Sequence, residues 1–184
     1  MPKLAAVEPA VERPLPAIAP RSERPAPPPR PAPSPAPVPQ ARYFLNPEMP
    51  VVDAPSIGPK TADRLEKIGV STVADLLALR PEDAAARMKV SHITAAVLRE
   101  WQKQANLMCR VPELRGHDVQ ILVGCGIEEP RQLAEADADS LLDRVSEFVA
   151  TTEGERILRS GSPPDRAEVA KWIAAARSLS ARAA

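Results

Sequence analysis

The sequence predicts an all-α protein, in which a compact helical domain follows a disordered proline-rich arm. Proline is concentrated at the N-terminus, where 16 of the 23 prolines lie in residues 1–50. From about Tyr43 the sequence becomes rich in aliphatic residues, spaced as in amphipathic helices. Helix-starting Ser and Pro residues and helix-stopping Gly residues then recur along the chain.

The arm, residues 1–48, is predicted to be a polyproline-II-rich tether. Proline has no amide donor and a fixed φ, so neither a helix nor a sheet forms easily in this stretch. The arm also has few large apolar side chains to bury. Pro25, Pro28 and Arg30 match a pattern that proline-binding grooves of protein partners recognise. The arm is therefore either a specific protein ligand or a spacer.

The charges balance overall but are unevenly distributed. The chain has 24 Lys and Arg against 24 Asp and Glu, and this total indicates neither a nucleic-acid-binding nor a membrane-binding protein. Residues 1–42 carry six basic and three acidic residues, whereas residues 108–184 carry ten and thirteen. A surface that binds polyanions is therefore expected in the arm or in the first half of the domain.

Several classes of protein are not expected. No apolar run approaches the ~18–20 residues of a membrane span, and the N-terminus lacks the apolar stretch of a signal peptide. We therefore expect a cytoplasmic protein that does not contact membranes. Cys109 and Cys125 have no metal-ligand spacing. Since the sequence shows no nucleophile–base pair and no phosphate-binding loop, we expect a protein that is not an enzyme and has no metal or cofactor.

Caps and periodicity predict eight helices. Pro59 fits the first turn of the first helix, and Gly69 fits its C-terminal stop. Ser71 and Ser91 are predicted to cap two further helices, and Asp165 to precede the last. The predicted ranges are 59–68, 72–79, 81–88, 92–110, 116–123, 130–136, 138–149, and a last helix from after 165 to about 179.

The order of helices repeats within the chain. A shift of 57 positions matches turn residues and apolar residues, and with a further 14-residue insertion it also matches Trp101 with Trp172. This divides the domain into a first repeat, 49–110, which ends in a long closing helix, and a second, divergent repeat, 111–184. The insertion, about 146–163, is predicted to be a helix extension or a loop. The pairs matched by the shift are Pro55 with Pro112, Ile57 with Leu114, Leu65 with Leu122, Gly69 with Gly126, Val70 with Ile127, Leu76 with Leu133 and Arg87 with Arg144.

The segment from Pro55 to Val70 resembles the helix-hairpin-helix motif. In that family a hairpin leads directly into a helix N-terminus, whose free amides and dipole hold a backbone phosphate of double-stranded DNA. Two copies resemble the tandem arrangement that grips both strands of a duplex. The residues to which the resemblance assigns nucleic-acid binding are Ser56, Ile57, Gly58, Lys60, Thr61 and Arg64 in the first hairpin, and Arg115, Gly116 and His117 in the second.

The region from Pro50 to Leu179 also resembles the bacterial family of domain of unknown function 4332, which shares the duplicated hairpin units. This chain departs from the hairpin pattern at two positions. Ser56 stands where the first hairpin has a glycine, and Glu113 stands where the second has one. A carboxylate at Glu113 would repel a phosphate, and Arg115 and His117 could partly compensate.

Two functions remain open. The first is weak, sequence-nonspecific DNA binding through the first hairpin, with a dissociation constant of roughly 10⁻⁴–10⁻⁶ M. The second is a protein-interaction or scaffolding module with purely structural hairpins. The intact helix start at Gly58 and Thr61 favours the first, and the altered second hairpin favours the second.

Overall fold

The structure, a computed structural model, describes residues 41–159 and 161–180, with the side chain of residue 180 excepted. These residues form nine α-helices and one 3-10 turn, Val51–Asp53. They include no strand, only an isolated bridge between Pro50 and Thr72. The all-α prediction is confirmed for this part of the chain. The helices are α1 (Pro59–Glu66), α2 (Val73–Ala78), α3 (Pro81–Met88), α4 (Ala95–Arg110), α5 (Gly116–Gly124), α6 (Pro130–Glu135), α7 (Ala138–Val149), α8 (Thr152–Leu158) and α9 (Arg166–Ser180).

The chain joins the folded domain earlier than predicted. Residues 1–40 lie outside the described residues, and so does nearly all of the predicted arm. From Arg42 onward the chain packs on the domain, because the Glu113 amide donates to the Arg42 carbonyl at 2.9 Å. Leu45 is only 1% exposed, and the Ala74 amide donates to the Pro47 carbonyl. The predicted arm boundary at residue 48 was therefore wrong, since an apolar side chain within it belongs to the core.

Positions 57 residues apart have nearly the same backbone conformation. Ser56 and Glu113 have φ values of 65° and 64°, which non-glycine residues rarely adopt. Gly69 and Gly126 follow with φ values of 88° and 80°. Helices α2 and α6 begin and end 57 residues apart, and α4 and α9 begin 71 residues apart. The second half thus repeats the course of the first, with the predicted 14-residue insertion before its last helix.

The long helices α4 and α9 organise the two halves. Helices α2 and α3 pack against α4, and α6 and α7 pack against α9 in the same way. Helix α5 packs against α4 and so links the second half to the first. The core is almost entirely aliphatic, and Trp101 and Trp172 are both buried. No described helix combines the length and the apolar character that crossing a bilayer requires.

Most predicted helix bounds agree with the structure to within two residues. Prolines or small residues that suit the first turn begin α1, α3 and α6, and the bounds of α3 and α7 match the prediction. Two predicted caps were wrong. Thr72 caps α2 in place of Ser71, since its Oγ1 accepts from the Asp75 amide at 3.1 Å. Thr94 caps α4 in place of Ser91, so α4 begins three residues later than predicted.

The inserted segment forms a separate helix rather than a loop or an extension of α7. Thr151 interrupts the helix after Val149 and caps α8, where its Oγ1 accepts from the Gly154 amide at 3.2 Å. Gly154 is buried, and a Cβ there would lie 2.3 Å from the carbonyl oxygen of Phe148. A glycine is needed because α8 lies directly against the end of α7.

Candidate nucleic-acid interface

The first hairpin turns the chain sharply into the N-terminus of α1. The 3-10 turn ends at Ala54, whose carbonyl accepts from the Ile57 amide at 3.2 Å. Ser56 has a left-handed φ of 65°, and Gly58 returns to an extended conformation as the N-terminal cap of α1. Pro59 takes the first helical position, where a missing amide costs nothing. The hairpin therefore presents the start of α1 at the surface.

The amides at the start of α1 are available to a ligand. The amides of Thr61 and Ala62 both donate to the Gly58 carbonyl at 2.9 Å. Among the described residues, the amides of Gly58 and Lys60 have no acceptor. Both residues are exposed. Together with the helix dipole, two free amides favour an anion at this end of α1.

Three basic side chains follow the outer face of α1. Lys60, Arg64 and Lys67 are spaced by four and three residues, so they lie on one side of the helix. Ala62 and Leu65 point the other way, into the core. None of the three basic side chains forms an ion pair with a described residue. Sequence reasoning missed Lys67, although its spacing from Arg64 could have identified it.

Two residues of the predicted site are used inside the protein. The Ser56 hydroxyl donates to Gln104 Oε1 at 2.8 Å and accepts from Gln120 Nε2 at 2.9 Å. The hydroxyl therefore bridges α4 and α5, which explains a serine where the hairpin pattern has glycine. Ile57 is 6% exposed, so its side chain belongs to the core. Only the backbone of these two residues can face a ligand.

The second hairpin has the same backbone but a different start to its helix. Arg115 caps α5 with φ and ψ close to those of Gly58. Its amide is not free, because it donates to Asp118 Oδ2 at 2.8 Å. A carboxylate of the chain itself thus occupies the place where α1 offers a free amide to an external anion. The sequence did show the three-residue spacing from Arg115 to Asp118, which is typical of a capping box.

Asp118 is buried, and its charge is costly at this site. The residue is 3% exposed, and its Oδ1 has no hydrogen-bond partner among the described residues. His117 Nε2 lies 3.0 Å from Oδ1 but is not aligned for a hydrogen bond. Burial raises the pKa of the Asp118 carboxyl, and Glu168 adds to the rise, while the Arg115 amide and His117 oppose it. This negative group disfavours a phosphate at the second hairpin.

The body of α5 is also covered. Val119, Ile121 and Leu122 are fully buried, and α4, α7 and α8 all contact α5. Ile121 is the counterpart of Arg64 under the 57-residue shift, so a basic exposed position in α1 becomes an apolar buried one in α5. Arg115 and His117 remain exposed, and Gly116 is half-buried.

The structure brings part of the predicted set together. Ser56 of the first hairpin and His117 of the second line one cleft between α4, α5, α8 and α9. The basic residues of α1 do not line it. The described residues contain no group of three or more His, Cys, Asp or Glu side chains that could hold a metal ion. Burial raises the pKa of both cysteine thiols, Cys109 and Cys125, to about 11, so neither is a ready nucleophile at neutral pH.

Comparison with curated proteins and with solved structures gives no match. A family model does match, over residues 55–179. The match begins at Pro55, in the first hairpin, and ends at Leu179, in the last helix, so it covers both halves of the helical domain. The chain therefore belongs to the family described as a domain of unknown function, DUF4332.

Proposed function

We propose that the protein binds the phosphate backbone of double-stranded DNA weakly and without sequence specificity, through the first hairpin and the outer face of α1. The observation that carries the proposal is the open start of α1, where the amides of Gly58 and Lys60 have no acceptor among the described residues. The hairpin and its free amides are those of a helix-hairpin-helix unit, which holds a phosphate in this way.

The charges on α1 set the size of the expected effect. Lys60, Arg64 and Lys67 span seven residues of helix, about 10 Å, so they can follow the backbone of one strand. Asp63 and Glu66 lie on the same helix and reduce its net charge. Three phosphate contacts correspond to a logarithmic salt slope of roughly −3 and to weak binding.

The second hairpin contributes little under this proposal. Asp118 occupies the Arg115 amide, and Glu113 adds a second carboxylate at the turn. Arg115, Gly116 and His117 therefore act mainly as the start of a packed helix. Without a second grip the protein holds one strand, which accounts for low affinity and for the lack of base reading.

Fluorescence anisotropy with a labelled duplex tests the proposal. The full chain is titrated at low and moderate salt against two duplexes of different sequence. We expect equal affinities for the two, a steep fall with salt, and about a tenfold loss with Lys60→Glu. Lys171→Glu is the matched control, because Lys171 is exposed on α9 and makes the same charge change away from the hairpin.

Two outcomes would overturn the proposal. One is the absence of binding at low salt. The other is an equal loss of affinity in Lys60→Glu and Lys171→Glu, since net charge alone would then explain the binding.

A further inference from the structure

A cleft of about 1020 Å³ lies between α4, α5, α8 and the start of α9. It exists because of the inserted helix α8, which has no counterpart in the first half of the domain. One wall is apolar and includes Val97, Trp101 and Ile157. The other walls carry charged and amide side chains. The cleft is large enough for a small organic ligand or a few residues of peptide.

A chain of hydrogen bonds determines which polar atoms remain free on one wall. Gln120 Nε2 donates to the Ser56 hydroxyl, and this hydroxyl donates to Gln104 Oε1. Gln104 is 1% exposed, and its Nε2 donates to Glu100 Oε1 at 3.1 Å. Each donor in this chain is directed at a neighbouring protein group, and the chain ends on a carboxylate. This wall therefore offers acceptors to a ligand.

Three glutamates line the cleft. Glu100 and Glu168 form no ion pair with a described residue, and only Glu153 has a basic partner, Arg156, at 3.7 Å. Burial raises the pKa of Glu100, and the nearby charge of Glu153 adds to the rise. Arg159 and His117 also line the cleft, but neither lies within ion-pair distance of Glu100 or Glu168. The carboxylates are thus short of positive charge.

A buried polar atom points to the same deficit. Asp118 Oδ1 is buried without a hydrogen-bond partner among the described residues, and it faces the cleft-lining His117 at a distance of 3.0 Å. Glu168, across the cleft, is close enough to raise the pKa of Asp118. Buried carboxylate oxygens ordinarily have a donor, so this wall lacks one.

We propose that the cleft binds an organic cation, an ammonium or guanidinium group carried on an aliphatic chain. The unpaired carboxylates accept from the charged group, and the apolar wall with Trp101 contacts the carbon chain and the face of the cation. A lysine or arginine side chain of a partner and a free polyamine share this chemistry. The site is separate from the first helix and independent of DNA binding.

Calorimetry on the full chain tests this with two probes, spermidine and the peptide acetyl-Lys-Leu-Lys-amide. We expect saturable binding of at least one probe and a loss of at least about fivefold with Glu100→Gln and with Glu168→Gln. Glu48→Gln, which removes the same charge from an exposed position that does not line the cleft, leaves the affinity unchanged. Binding of spermidine alone identifies a free polyamine, and binding of the peptide alone identifies a partner's side chain.

Trp101 gives a second readout, because its fluorescence changes only when the cleft itself is filled. Three results would overturn the proposal: no binding of either probe at millimolar concentration, equal weakening by Glu48→Gln, or full displacement by Mg²⁺ at matched ionic strength. Thermal unfolding of each variant shows that it is folded before binding is measured.

Discussion

Helices α1 and α5 start from hairpins with the same backbone but are used differently. In α1 the amide of the capping residue Gly58 is free, and the outer face of the helix is basic and exposed. In α5 the amide of the capping residue Arg115 is held by Asp118, and the helix is covered by α4, α7 and α8. A repeated fold therefore does not imply a repeated binding site, because the side chains and the neighbouring helices decide whether the hairpin is open.

The largest expected effect comes from exchanging the residues at one matched pair of positions. Ile121→Arg places a charge in the core at the position that Arg64 occupies in α1. We expect it to lower the free energy of unfolding by at least about 4 kcal/mol. The reverse exchange, Arg64→Ile, should change stability by less than about 1 kcal/mol, because Arg64 makes no ion pair with a described residue. Urea unfolding measures both.

If Ile121→Arg does not fold, Ile121→Ala serves in its place, with an expected cost of about 2–5 kcal/mol. A cost below about 1 kcal/mol for Ile121→Ala would contradict the covered state of α5.

A second pair tests the hairpin turns. Ser56 and Glu113 both have a left-handed φ, which glycine adopts without strain. Glu113→Gly should stabilise the protein by up to about 1 kcal/mol, because it loses only an exposed hydrogen bond from the Arg42 amide. Ser56→Gly gains the same relief but leaves the buried Gln104 without its donor, which costs about 1–3 kcal/mol.

Chemical denaturation of the two glycine variants should therefore give shifts of opposite sign. Shifts of the same sign and size would mean that the Ser56 hydroxyl is not a structural bridge.

Sequence reasoning found the helices that local residues define. The prolines of α1, α3 and α6 mark helix starts, and the stops at Gly69 and Gly126 follow from their fixed spacing after apolar residues. Helix α8 was missed because Gly154 reads as a helix breaker when considered alone. Its need for a glycine comes from the approach of the Phe148 backbone, a contact that only the folded chain forms.

The candidate site was only partly predictable, for the same reason. Gly58, Lys60 and Arg64 are local features of one hairpin and helix, and the sequence indicated them. The partners of the Ser56 hydroxyl lie 48 and 64 residues away in the chain, so no local pattern could show that it is occupied. Whether α5 is covered likewise depends on α8, whose position the sequence does not define.

A third variant converts the first hairpin toward the second. Thr61 is the counterpart of Asp118 under the 57-residue shift. In Thr61→Asp a carboxylate can accept from the Gly58 amide, as Asp118 does from Arg115. We expect DNA affinity to fall about tenfold while stability rises by up to about 1 kcal/mol, because an acidic residue in the first turn suits the helix dipole.

Thr61→Asn is the matched control, since its neutral side chain can cap the helix without a charge. Anisotropy and thermal unfolding measure the two effects separately. Unchanged DNA binding in a folded Thr61→Asp variant would show that the start of α1 is not the phosphate contact.

The smallest expected effect is a pH dependence that distinguishes the two carboxylate environments of the second half. The folded-state pKa of Asp118 is raised by burial, so the folded protein keeps this proton at a pH where the unfolded chain has lost it. The stabilising contribution of protonated Asp118 is then present below the unfolded value of about 4 and is lost as pH rises through the folded value. Asp118→Asn keeps an acceptor for the Arg115 amide and removes this loss, so the variant should gain stability relative to the wild type as pH rises.

Asp137 provides the control of opposite sign. Its pKa is lowered by the hydrogen bond from the Ser140 amide at the start of α7, so its contribution is present at neutral pH and is lost as pH falls. Asp137→Asn should therefore lose stability relative to the wild type as pH rises. Urea unfolding from about pH 3.5 to 7.5 compares the two. The Asp118 effect is the smaller because the Arg115 amide and His117 oppose the burial that causes it. Parallel pH profiles for the two variants would mean that Asp118 behaves as an ordinary capping carboxylate, and the contrast between the starts of α1 and α5 would then rest on the covering helices alone.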